Sequence, residues 1–175
     1  MTLAAPTIQR IPAPQLVNAL SFDIEDWFHL VGIDSIVSSS QWPDLPSLVV
    51  DYSAWILDTI NQSNVRATFF FLGWIADKYP EIAKMVTAAG HEVATHSYWH
   101  RQAAKLTPAE LRDDLKRSID ILESQTGQKV LGFRAPSFSI TPGSEWIFDL
   151  LLDLGLAYDA SLFPAIRGHG GYRCS

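Results

Sequence analysis

His96 and His100 stand four residues apart in THSYWH, residues 95–100. That spacing lets two imidazoles reach one ion, from a helical turn or from a loop leaving a strand. A second group, Asp23, Glu25 and Asp26 in SFDIEDW, residues 21–27, offers three carboxylates directly after an apolar run. Two histidines and one carboxylate leave positions open on a divalent ion, which suits a catalytic site better than a closed structural one. The carboxylates can then divide the labour. One ligates the ion, and another serves as general base toward the hydrolytic water, kept ionised near neutral pH by the metal and a nearby cation. Arg134, in FRAPSFS at 133–139, is the natural cation. Its planar fork can pair with a carboxylate and fix its orientation, and Pro136 keeps Ala135 extended and stiffens the loop. Asp159, in YDASLFP at 158–164, either supports the site or caps a turn. Any of these groups alone could be a solvated loop or an ordinary surface side chain. Their recurrence at one expected strand end after another carries more weight. His29, His91 and His169 lack such neighbours, and His91 reads as a structural residue opening a strand.

The elements that must position these groups follow from periodicity. Residues 17–22, 66–72, 91–95 and 129–133 read as buried strands, and a further strand begins at 156–158. Parallel strands covered on both faces are expected to be continuously apolar. Helices are expected over 48–61, with Leu48, Tyr52, Trp55, Ile56 and Ile60 at helical spacing, and over 80–89, stopped by Gly90. The clearest helix spans 108–125. Thr107 and Glu110 form a capping box, Pro108 takes the first position, Gly127 closes it, and Leu111, Leu115, Ile119 and Leu122 make its stripe. A last helix carries Trp146, Ile147, Leu150, Leu151 and Leu154, with Ser144 as its expected cap. Strand-then-helix repetition predicts an α/β domain with a parallel sheet, barrel or open.

At 175 residues, 47% hydrophobic and 18% charged, the chain can bury one real core. Its aromatic share of 11%, with six Trp, serves that core first and leaves some rings for a groove that takes a flat amphipathic ligand such as a sugar. A net charge of −6 without a basic block makes a poor nucleic-acid binder. The lone Cys174 excludes an internal disulfide and a cysteine-rich zinc site, and fits a reducing compartment. No basic segment followed by a long apolar run opens the chain, so neither signal peptide nor spanning helix is expected and cytoplasmic residence is the default. Residues 1–16, with Pro6, Pro12 and Pro14, read as an extended lead-in, and 17–175 as the domain.

The set SFD…HSYWH…RAPS resembles the NodB homology domain of carbohydrate esterase family four. That family carries an acidic motif of the form TFDDG, a metal motif H-S/T-x-x-H and an arginine motif R-x-P-Y. His96, Ser97 and His100 match the second motif in full, Ser21, Phe22 and Asp23 the first half of the first, and Arg134 and Pro136 the third, within a likeness spanning about residues 17–165. The resemblance implies a distorted, incomplete (β/α) barrel and a metal-dependent polysaccharide deacetylase acting on an N-acetylated glycan. The implied ion is commonly zinc, with cobalt and nickel as alternatives. By the same resemblance His96 and His100 are ligands, Asp23 is the base and Arg134 positions it. The Ser137 backbone N–H supports the oxyanion, and Ser97 braces the histidine loop.

There are departures. D-I-E-D-W stands where the family has D-D-G, so the third ligand is either Glu25, on Asp23's side of an extended strand, or Asp26. Ser137 replaces the usual aromatic. This form is similar to a branch with exopolysaccharide-locus deacetylases, lipid-linked aminoarabinose deformylases and PuuE-type allantoinases. The family's second histidine, its general acid, has no good counterpart: His169 in RGHGGY is a poor match. The expectation is a barrel truncated at its C-terminus, and proton donation to a leaving amine is worth about 10²–10⁴-fold. Beside deacetylation, two readings therefore stand: a related C–N hydrolase with a formyl-amino or allantoin-like substrate, and an inactive glycan-binding domain.

Overall fold

The computed structural model describes residues 18–165, 168 and 170–172. The expected lead-in at 1–16, Val17, His169 and Cys174 lie outside the described residues. Five strands form one sheet: β1 (Ser21–Ile24), β2 (Thr68–Phe71), β3 (Glu92–Thr95), β4 (Gly132–Phe133) and β5 (Tyr158–Asp159). All pairings are parallel, in chain order. Each parallel step needs a crossover. These are α1 (Val49–Gln62), the pair α2 (Gly73–Lys78) and α3 (Pro80–Ala88), α4 (Pro108–Thr126) and α5 (Trp146–Asp153). Chain-order winding of this kind is that of a (β/α) barrel built part way round, within the expected α/β class.

The strands differ from expectation in one respect that matters for the site. They are not all apolar throughout: β1 alternates, whereas Phe69, Phe70 and Phe71 of β2 are all buried, as expected. Phe22, Ile24, Phe69, Phe71, Val93 and Phe133 belong to the core or pack against it, and Thr95 Oγ1 meets Ser118 Oγ of α4 at 2.8 Å. The intervening residues, Ser21, Asp23, Thr68, Phe70, Glu92 and Ala94, therefore point to the other face. Being inside a partial barrel, that face can be polar. The first strand also begins later than expected, so Asp23 lies within it rather than after it.

Three helices depart from the sequence reading. In α1 the buried positions are Val49, Ser53, Leu57 and Ile60, whereas Leu48, Tyr52 and Trp55 are exposed, Trp55 by 67%. The stripe drawn through the largest side chains was rotated away from the true core face. The short α2 was not expected; its Gly73, Trp74, Ile75 and Ala76 are all buried, so it shows no amphipathic period. α4 has the expected caps. Glu110 N–H donates to Thr107 Oγ1 at 3.3 Å and Thr107 N–H to Glu110 Oε2 at 2.9 Å, and Gly127 turns left-handed at φ 67°. Ser144 does not cap α5 with its side chain: its hydroxyl exchanges hydrogen bonds with the backbone of Thr141, and Glu145 holds the cap position.

Candidate metal centre

Register brings the site together. Ile24 pairs with Phe71, Phe71 with Thr95 and Thr95 with Phe133. The residues one step beyond, Glu25, His96 and Arg134, therefore share one rim at the C-terminal end of the sheet. The ladder continues into it: His96 N–H donates to the Phe71 carbonyl at 2.7 Å, and Arg134 N–H to that of Thr95 at 3.0 Å.

His100 reaches the rim through a tight loop. Ser97 and His100 both take positive φ, 65° and 55°, a cost that persists only where surroundings hold it in place. Here α4 and α2 do so. The buried Asp114 carboxylate accepts Tyr98 N–H at 2.6 Å and Arg101 Nη2 at 3.1 Å, and Tyr98 Oη donates to Asp77 at 2.8 Å. Gly73 N–H donates to the Ser97 carbonyl at 2.7 Å. Ser97 thus steadies the loop through its backbone, not its hydroxyl, which is buried with no hydrogen-bond partner among the described residues.

Glu25, His96 and His100 each present a ligand atom within 4.8 Å of the others. His96 Nδ1 lies 2.7 Å from the Arg134 carbonyl. A carbonyl only accepts, so Nδ1 carries the proton and Nε2 is left for an ion. Glu25 Oε2 approaches His100 Nε2 at 2.7 Å, but it has no well-aligned hydrogen bond and is buried. A carboxylate oxygen orphaned between two buried imidazoles is what a divalent ion would complete, and the N,N,O donor set suits zinc and its neighbours. Burial pushes the Glu25 carboxyl up, but the close His100 and the other imidazoles outweigh it, and the net shift is downward. Burial also lowers the pKa of His96, which favours the neutral ligand form.

Asp26 does not join this group. Its carboxylate takes the Ser47 hydroxyl and, at 3.3 Å, Leu48 N–H, tying the segment after β1 to the start of α1. Of the two carboxylates left open by the sequence, the geometry brings Glu25 to the histidines. Asp23 is met by Arg134 instead, with Nη1 at 2.7 Å from Oδ1. The guanidinium is held on every side: Nη2 donates to Ser21 Oγ at 2.8 Å, Nε to the Ala160 carbonyl at 3.3 Å, and its carbon lies 4.1 Å over the Phe70 ring. Asp159 accepts both the hydroxyl and the N–H of Ser161, whose Oγ accepts Ala135 N–H at 2.7 Å. It therefore both caps a turn and braces the Arg134 loop, and burial raises its pKa. Ser137 follows in a left-handed turn at φ 57°.

His29 was missed as a site residue: Glu25 and Asp26 stand four and three residues before it, but what ties it to them is a hydrogen bond from the Asp26 backbone rather than a ligand spacing. It is buried beside the centre and lines, with Phe28, Trp42, Trp99, His100 and Lys105, a cavity of about 690 Å³. A smaller cavity of about 230 Å³ reaches Asp23 and Glu25 past Trp27 and Tyr52. No helix of the described residues is long and apolar enough to cross a membrane.

Residues 39–154 match the family described as Polysaccharide deacetylase. A peptidoglycan-N-acetylglucosamine deacetylase of Bacillus cereus is 36% identical over 94 residues, 54% of this chain and 32% of that protein. Among solved structures, the crystal structure of a "putative polysaccharide deacetylase" from Mycobacterium smegmatis aligns at a TM-score of 0.69 and 26% identity, covering 88% of this chain and 56% of that one. A carbohydrate esterase family four (CE4) pseudoenzyme of Bacillus anthracis aligns at 0.63 and 26% identity, covering 81% and 41%. The chain thus spans about a third of the length of the Bacillus cereus relative.

Proposed function

From its membership of the polysaccharide deacetylase family, we propose that this chain carries the metal-binding site of a hydrolase that removes N-acetyl groups from a glycan. The convergence of Glu25, His96 and His100 beside an Arg134-held Asp23 is the observation that carries this reading. Those three residues would hold a divalent ion, zinc in the first place, which when bound supplies a Lewis acid for the acetamide carbonyl and acidifies water. Asp23 takes the proton of the attacking water, and Arg134 keeps its carboxylate aimed. The Ser137 N–H donates to the oxygen that becomes negative as the carbonyl carbon turns tetrahedral. The C–N bond then breaks, the nitrogen takes up the proton held by Asp23, and the acetic acid formed ionises to acetate.

The glycan reading is supported by the cavity beside His100, whose volume falls in the range of small-ligand sites and whose walls include Trp42 and Trp99. Exposed Trp27 and Tyr52 beside the smaller cavity add rings on which a sugar can stack. Acetate release from N-acetylated oligosaccharides, measured with added zinc and again after chelation, tests the proposal: release must appear with metal and vanish without it. Likeness to a CE4 pseudoenzyme favours a second reading, glycan binding without turnover. Metal uptake and oligosaccharide affinity with no acetate would select it.

A further inference from the structure

Glu25 is placed by the peptide unit that follows it. The Asp26 N–H lies in the plane that begins at the Glu25 carbonyl carbon, so its orientation fixes ψ of Glu25 and the direction in which that side chain leaves the backbone. This N–H donates to His29 Nδ1 at 2.9 Å. The Asp26 carbonyl in turn accepts His29 N–H at 3.0 Å, and the Asp26 carboxylate is tied to Ser47 and Leu48. The segment is pinned from two sides.

The imidazole is itself held. Phe28 and Trp42 lie with ring centroids 4.4 Å away, Trp42 perpendicular, and Trp74 at 5.3 Å. An N–H only donates, so Nδ1 is the acceptor and the neutral ring carries its proton on Nε2. Nε2 is buried and has no hydrogen-bond partner among the described residues. A site needing only volume would be filled by phenylalanine without that orphaned donor. What the imidazole adds is the acceptor at Nδ1. Burial lowers its pKa to about 3, so the acceptor persists at neutral pH.

We infer that His29 is a positioning residue of the metal centre: by accepting the Asp26 N–H it holds the Glu25 carboxylate toward His96 and His100. The inference rests on the reading that Glu25, His96 and His100 hold a divalent ion.

The test uses the whole chain with Zn²⁺ or Co²⁺ alone. In ¹⁵N spectra of the wild type, His29 must show an unprotonated Nδ1 and a protonated Nε2 at neutral pH; the opposite tautomer overturns the inference. His29→Phe keeps an aromatic ring and removes the acceptor. Its zinc affinity is expected to fall by about 10–100-fold, as for other residues that orient metal ligands, with an altered visible spectrum of the cobalt form. His29→Asn, whose side-chain oxygen can take the same N–H, is expected to recover most of that loss. Wild-type affinity in His29→Phe, or an Asn variant as weak as the Phe one, overturns the inference and leaves the deacetylase proposal standing. Absence of zinc binding by the wild type overturns both. Should His29→Phe fail to fold, the wild-type tautomer and the His29→Asn affinity still decide.

Discussion

Arg134 and Asp23 lie 111 residues apart in sequence and meet at 2.7 Å, Nη1 to Oδ1, while the other arm of the guanidinium reaches Ser21 on the same strand as Asp23. Two arms of one planar group thus grip one strand at positions i and i+2, which share a face. The consequence is a carboxylate with little freedom to rotate, on the rim that also carries Glu25, His96 and His100.

Asp23→Asn keeps the shape and removes the base. Acetate release is expected to fall by about 10²–10⁴-fold while bound metal, measured by elemental analysis, is unchanged. Full activity in this variant would refute the base assignment. Arg134→Lys keeps a charge but loses the fork; a carboxylate misplaced by about 1 Å costs on the order of 10²-fold, expected in kcat more than KM.

Glu25→Ala, His96→Ala and His100→Ala are each expected to abolish metal retention after dialysis, because no three-donor set remains. Asp26→Ala is expected to retain metal and to lose about 1–3 kcal/mol of stability, since the Ser47 hydroxyl and Leu48 N–H lose their acceptor. Loss of metal from Asp26→Ala alone, with Glu25→Ala still loaded, would reverse the ligand assignment.

Gly73 shows how a remote helix serves the histidine loop. A Cβ there would lie 2.7 Å from Tyr98 Cδ2 and 2.8 Å from Ser118 Oγ, yet Gly73 N–H must reach the Ser97 carbonyl. Gly73→Ala is expected to cost about 1–3 kcal/mol through overpacking, read as a lowered Tm, and to weaken zinc binding as the loop is pushed outward. Unchanged zinc affinity with a lowered Tm would confine Gly73 to stability.

Acid sensitivity follows from buried neutral imidazoles. His29 has a pKa of about 3 in the folded chain, against about 6.5 when unfolded. Above 6.5 neither state holds the proton and stability is full. As pH falls below 6.5 the unfolded chain takes up a proton that the folded chain refuses, costing about 1.4 kcal/mol per pH unit from this group. His91 and His96, both shifted downward mainly by burial, add in the same direction. The metal-free wild type should therefore lose stability between pH 6.5 and 4 more steeply than His29→Phe, measured by denaturant unfolding. Parallel pH profiles would contradict this.

Much of this was legible in sequence where the signal is local. Thr107, Glu110 and Gly127 mark both ends of α4 because caps are chemistry between neighbours. The four-residue step from His96 to His100 likewise marks a pair of imidazoles within reach of one ion. Choosing Glu25 over Asp26 was not legible, because it depends on where Ser47 and Leu48 fold back to take Asp26. The face of α1 was misjudged for a similar reason: Tyr52 and Trp55 look like core by size but are exposed, and Val49, Ser53 and Leu57 are buried beside the expected Ile60. His29 was not read as a site residue although Asp26 stands three residues before it: the Asp26 N–H it accepts is local, but Trp42 and Trp74, which bury its ring, come from other parts of the chain.

The central claim is a single divalent ion shared by Glu25, His96 and His100. Zinc soaked into crystals of this chain and located by anomalous scattering tests it most directly. The account predicts one strong peak, at roughly 2.0–2.2 Å from a Glu25 oxygen and from one nitrogen of each histidine. Zinc bound elsewhere, or His96 and His100 with no ion between them at saturating zinc, would contradict it.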